Sequence, residues 1–163
     1  MFTHDSKRTV VLQPDLERAL FGKSTPERVL IVDDDPTTAQ LLGAMGEKEG
    51  YRVVSVDDAR KAYRILKLDA NFAAAVFNMA VPNLQGVDII RHMKTEKRLM
   101  RIPVVIVAGD HRLDLITESF AAGALAFLPK PFTTEKLMRT LHLAIGSQAV
   151  RKRSDARLTK VAA

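Results

Sequence analysis

Five short apolar runs, each followed by a stretch with helical spacing, leave few folds open to this chain. The runs are RVLIV at 28–32, RVVSV at 52–56, AAAVFN at 73–78, PVVIVA at 103–108 and ALAFL at 124–128. They are rich in β-branched residues, and most read as continuous apolar stretches rather than alternating ones. Such runs suit strands buried on both faces, the condition of a parallel sheet covered by helices. Five βα units with right-handed crossovers give a three-layer α/β/α sandwich.

The helices carry their own start and stop signals. Asp35 followed by Pro36 reads as an N-cap acid before a proline at the first helical position. Ala39, Leu42 and Met45 follow at helical spacing, and Gly50 closes the unit. Asp57 or Asp58 caps a second helix with Ala59, Ala62, Tyr63 and Leu66 inward. A turn at Pro82, Asn83 and Gly86 leads into a third helix through Val87, Ile90 and the stem of Lys94. The fourth is expected to turn Leu113, Ile116 and Phe120 inward and to end near Gly123. Thr133 caps a last helix with Leu137, Leu141, Ala144 and Ile145 facing the core.

In doubly wound sheets, functional groups collect where the strands end. Asp33 and Asp34 follow the first run, Asn78 closes the third, Ala108 closes the fourth and Lys130 follows the fifth. Two acids and a lysine at strand ends suggest a small pocket for phosphate or Mg²⁺. An amide at Asn78 withholds the nucleophile such a pocket would use.

A chain of 163 residues fits one domain with modest tails. The reading divides it into a leader at 1–27, a domain at 28–147 and a basic tail at 148–163. A short helix over residues 15–21 is one form the leader could take; a loosely ordered leader is the other. No cysteine is present, which excludes disulfides and thiolate metal sites. No run approaches a membrane span, and the first residues lack a signal peptide's apolar core, so a soluble cytoplasmic protein is expected. The net charge is +6, and the tail holds five bases (Arg151, Lys152, Arg153, Arg157, Lys160) against Asp155, a surplus of four. The domain is therefore near neutral, which argues against a nucleic-acid face on it. The tail lacks aromatics for base stacking, and a solvated continuation of the last helix suits it better.

VLIVDDDP, FNMAVPNLQG, IPVVIVAGD and GALAFLPKPF, in that order and spacing, make residues 28–147 resemble the receiver domain of bacterial two-component response regulators. The resemblance implies a CheY-like, flavodoxin-like fold with five parallel strands in the order 2-1-3-4-5. It implies that Asp33 and Asp34 are the Mg²⁺-binding acidic pair. Asn78 stands where the family's aspartate accepts phosphate from a histidine kinase. Ala108 stands where a Thr or Ser contacts the phosphoryl group. Lys130 is the lysine that pairs with the phosphoryl oxygens, Pro131 follows it through a cis bond, and Phe127 is the switch aromatic. The family's interaction face implies contacts through the fourth helix, fifth strand and fifth helix, with Leu115, Phe127 and Met138 as candidates if exposed.

Asn78 and Ala108 depart from the family pattern. A side-chain amide is a poor nucleophile because its nitrogen lone pair is delocalised, so an acyl phosphate should not form there. The amide also removes one negative charge from any Mg²⁺ site, leaving weak binding at most and no required cofactor. Ala108 removes the hydroxyl that would couple the pocket to Phe127. Relief of carboxylate repulsion is a compensation, and Lys130 is expected to pair with Asp34.

The expected function is that of a single-domain pseudo-receiver: a protein-interaction module, not an enzyme, in phosphorelay signalling. Its partner would be a histidine kinase or a downstream effector, with a homodimer through the last helix also open. One alternative is a conventional receiver whose acceptor aspartate was exchanged for Asn78; Ala108 argues against it, since a single exchange would leave a hydroxyl there. Another is a signalling protein whose basic tail contacts nucleic acid. The 16 residues after Ser147 are expected to be too few for an output domain. His4, His92, His111 and His142 lack metal-ligand spacing, Met79 and Met93 read as packing, and GKST at 22–25 lacks a P-loop's upstream glycine and strand.

Overall fold

The computed structural model describes residues 26–79, 87–109 and 113–161 and, beyond residue 147, the side chains of Ser154, Arg157 and Leu158. The suggested leader helix, the GKST motif, His4, His111 and the turn at Pro82, Asn83 and Gly86 lie outside the described residues. The elements run β1 (Arg28–Val32), α1 (Pro36–Lys48), β2 (Arg52–Val56), α2 (Ala59–Leu68), β3 (Ala74–Asn78), α3 (Asp88–Thr95), β4 (Val104–Ala108), α4 (Leu113–Ala122), β5 (Ala126–Pro129) and α5 (Thr134–Val161).

All strand pairs are parallel, and the order across the sheet is β2-β1-β3-β4-β5. Strand side chains alternate between two apolar layers. Leu30, Val32, Phe77 and Ile106 join Ala62, Leu66, Ile90 and Met93 on one face. Val29, Ile31, Val76 and Val107 join Leu42, Leu137, Leu141 and Ala144 on the other. Both faces of β1, β3 and β4 are thus covered, which is why their sequences show no polar alternation. Each side chain of this size, fully buried, contributes about 1.5–3 kcal/mol. β2 is an edge strand, and Arg52 and Ser55 on it are exposed.

Local chemistry sets the helix ends. Asp35 accepts from the backbone N–H of Thr37 and the hydroxyl of Thr38, with Pro36 opening α1. Asp58, rather than Asp57, caps α2 through the N–H of Arg60. The Thr133 hydroxyl accepts from the N–H of Lys136 at the start of α5. Gly123 has φ +113°, and a Cβ there would lie 2.6 Å from the Lys94 stem. Lys94 Nζ in turn donates to the carbonyls of Ile102 and Met100 at 2.8 and 3.3 Å, fastening α3 to the approach of β4.

One helix face departs from the sequence reading. In α4, Leu113 is 79% exposed, Phe120 is 47% exposed and Ile116 is half-buried; the buried residues are Ser119 and Ala122. A buried Ser119 is affordable because its hydroxyl donates back to the Leu115 carbonyl at 2.8 Å.

Candidate functional site

Register places the predicted residues along one edge of the sheet. Val32 is paired with Phe77, Asn78 with Val107, and Ala108 with Pro129. Asp33, Asn78, Ala108 and Lys130 therefore follow one another across the carboxyl ends of β1, β3, β4 and β5. The backbone N–H of Lys130 donates to the Ala108 carbonyl at 2.8 Å, and the Lys130–Pro131 bond is cis.

At the centre, Asn78 Nδ2 donates to Asp33 Oδ1 at 3.2 Å. The same carboxylate oxygen accepts the N–H of Asp35 at 2.9 Å. Both side chains are buried, with 4% of Asp33 and 5% of Asn78 exposed. A buried carboxylate is tolerable only when hydrogen-bonded, and here a neutral amide donor occupies the place where a third acid would repel it. No buried side-chain nitrogen or oxygen among the described residues lacks a partner.

Asp34 turns elsewhere. It is exposed and lines an open cleft of about 390 Å³ with Asp33, Pro36, Ala39, Ser55, Val56, Asp57 and Lys61. The expected ion pair between Asp34 and Lys130 does not form: among the described residues no salt bridge joins Lys130 to any acid. Asp33 is tied to Asn78, while Asp34 is exposed in the cleft. The Lys130 charge bears slightly on Asp35 instead. The Asp35 carboxyl is held below its ordinary value chiefly by the Thr38 hydroxyl and the Thr37 N–H, with Lys130 the smallest contribution.

The β2 side of the cleft was not singled out by the sequence reading. Asp57 Oδ1 meets Lys61 Nζ at 2.6 Å, and that bond lowers the Asp57 pKa and raises that of Lys61. The i,i+4 spacing across the start of α2 was the available signal. Likewise Tyr63 OH lies 3.1 Å from His92 Nε2, which is 3.5 Å from Glu96 Oε2, so His92 bridges α2 and α3. His142 is exposed and packs its ring on Tyr51.

Ala108 is buried and carries no hydroxyl to move. Phe127 is half-buried and packs against the layer formed by Leu30, Phe77 and Ile106. Of the candidate contact residues, Leu115 is half-buried, whereas Met138 is 5% exposed and belongs to the core. Met138 is thus withdrawn as a docking residue: it faces the sheet together with Leu137 and Leu141. Met93 is buried in packing, as its sequence context suggested, and Met79 is half-buried against the same layer.

The donor set does not match a tightly held divalent ion. Among the described residues no three His, Asp or Glu side chains cluster as metal ligands, and the Asn78 amide offers Asp33 a hydrogen rather than sharing a cation with it.

Residues 29–142 match the response regulator receiver domain. The chain belongs to that family. It is 26% identical over 118 residues to the cell cycle transcriptional regulator CtrA of Caulobacter vibrioides, covering 72% of this receiver and 50% of CtrA. It thus spans about half of that relative's length. With the two-component response regulator ORR3 of Oryza sativa it is 29% identical over 126 residues, 76% of the receiver and 96% of ORR3. A CheY-like receiver from Methanospirillum hungatei superposes with a TM-score of 0.72 at 24% identity, over 77% of this chain and 98% of that one. The receiver domain of the sensor histidine kinase PA1611 from Pseudomonas aeruginosa, which has a magnesium ion coordinated in its active-site cleft, gives 0.67 at 26% identity over 74% and 98%. The chain is therefore a receiver module of two-component signalling, and no described helix is long and apolar enough to cross a membrane.

Proposed function

We propose that this receiver works without phosphorylation at Asn78, as a protein-binding module of a cytoplasmic two-component pathway. The observation that carries the proposal is the buried hydrogen bond from Asn78 Nδ2 to Asp33 Oδ1. Where a receiver accepts phosphate it needs a carboxylate nucleophile, a cation and a mobile hydroxyl. Here the acceptor position is an amide already engaged, Ala108 has no hydroxyl, and Lys130 lacks an acidic partner among the described residues. The pocket is a structural network that holds β1, β3 and the start of α1 together.

Asp33 and Asp34 bind Mg²⁺ weakly at most, because two carboxylates and a neutral amide supply less charge than a three-acid site. The module does not turn over a substrate. It offers a docking surface to a histidine kinase or a downstream effector, on the face formed by α4, β5 and α5. Exposed Phe120 and Leu125, with half-buried Leu115 and Phe127, supply the apolar contacts of that face. The test is a Mg²⁺ and beryllofluoride titration followed by amide NMR. The proposal expects small shifts confined to Asp33 and Asp34. Saturating shifts spreading through Asn78, Ala108 and Phe127 would show a working phosphoryl site and end it.

A further inference from the structure

Helix α5 runs from Thr134 to Val161, 28 residues, and among its described side chains the last in the core layer is Ile145. At 1.5 Å per residue, the remaining 16 residues carry the helix about 24 Å past Ile145. An isolated helix of that length is marginal in water, so the extension takes its nucleation from the packed half and gains most from a second surface to lie against.

An exposed face runs from the packed half of the helix into the extension. Leu143 and Leu158 are each 69% exposed, and Ser154 is exposed between them. At 3.6 residues per turn, Leu143, Ser147, Ser154 and Leu158 fall within a sector of about 60°. Val150 and Val161 fall in the same helical register in the sequence. The sector is turned roughly 100° from the centre of the row formed by Leu137, Leu141 and Ala144, which faces the sheet. Arg151 and Arg157 border the sector, and the segment carries five bases against Asp155.

We propose that the projecting part of α5 is a docking helix for an acidic amphipathic helix of a partner protein. Charge decides the occupant. A second copy laid parallel would set a surplus of four positive charges against the same surplus. A nucleic-acid backbone would satisfy the bases and leave Leu143 and Leu158 without a role. An acidic partner helix with an apolar seam satisfies both the leucines and the bases. The proposal rests on the reading of this receiver as a protein-docking module and names the partner's chemistry. Phosphorylation of the domain would sink that reading and leave the helix result standing.

The test uses the full chain and a synthetic helical peptide with a leucine seam flanked by glutamates. A scrambled peptide of the same composition, a lysine-flanked analogue, a DNA duplex and phosphatidylglycerol vesicles serve as competitors. The glutamate-flanked peptide is expected to bind, with both analogues much weaker. The double variant L143E/L158E should lose about tenfold in affinity, as should R151E/R157E, with the thermal midpoint of the domain unchanged. Absence of peptide binding, equal binding of the scrambled peptide, or indifference to the leucine pair would overturn the proposal. So would tighter binding to DNA or vesicles, or a homodimer in sedimentation that L143E/L158E dissolves.

Discussion

Asp33 and Asp34 are adjacent in the chain and end in opposite surroundings. On the β3 side of β1, Asp33 is buried, accepts two hydrogen bonds on one oxygen and touches no bulk water to speak of. Asp34 is exposed and lines an open cleft that also reaches β2, where Lys61 is paired with Asp57. The first side is a hydrogen-bonded joint between strands. The second keeps the solvation of an ordinary surface. The single amide at position 78 separates the two, because a carboxylate there would have repelled Asp33 and called for a cation.

The largest expected effect is at the joint. Asp33→Ala removes the shared acceptor of the Asn78 amide and the Asp35 N–H and should cost about 2–3 kcal/mol in urea unfolding. Asp34→Ala should stay within about 0.5 kcal/mol. Equal costs for the two would erase the contrast. Asn78→Asp comes next: an added buried charge beside Asp33 should destabilise the metal-free protein by about 1–3 kcal/mol, and millimolar Mg²⁺ should recover part of that loss. If that variant is as stable as the parent without Mg²⁺, the amide is not what makes the site self-sufficient.

Smaller effects probe the β2 side. A Cβ on Gly46 would lie 2.6 Å from Val53 Cγ2, so α1 rests on β2 through a bare backbone. Gly46→Ala should cost about 1 kcal/mol in thermal unfolding, with overpacking exceeding the gain in helix propensity. The acids of the surface give the smallest signal. Asp57 is held below its ordinary value of 3.8 by the hydrogen bond from Lys61, and Asp69 by the Asn71 N–H and then by Arg28. A depressed carboxylate contributes stability that is complete above its unfolded value and lost as pH falls through the folded one. These two acids should therefore add no slope between pH 8 and pH 5, and Asp69→Asn should flatten the stability curve only below about pH 4.

Much of this architecture was legible in the residues. The β-branched runs became the five strands within a residue or two at their ends, since continuous burial on both faces leaves little ambiguity. Asp35-Pro36, Gly123 and Thr133 set helix ends as their chemistry dictates. The face of α4 was misread because Leu113, Ile116 and Phe120 share helical spacing, yet small Ser119 and Ala122 let the helix lie close to the sheet and turn the large residues outward. The missing bond between Lys130 and Asp34 has a similar origin. Motif spacing says that two strand ends are near each other, but the direction of each side chain depends on the pleat. The contact between Tyr63 and His92 joins helices 29 positions apart, a separation that no local pattern encodes.

The most direct test of the account is intact-mass analysis of the native protein after incubation with acetyl phosphate and Mg²⁺. The account predicts an unchanged mass, with Asn78 still an amide and Asp33 still its acceptor. A gain of one phosphoryl group, labile to hydroxylamine and mapped to Asp33 or Asp34, would contradict it.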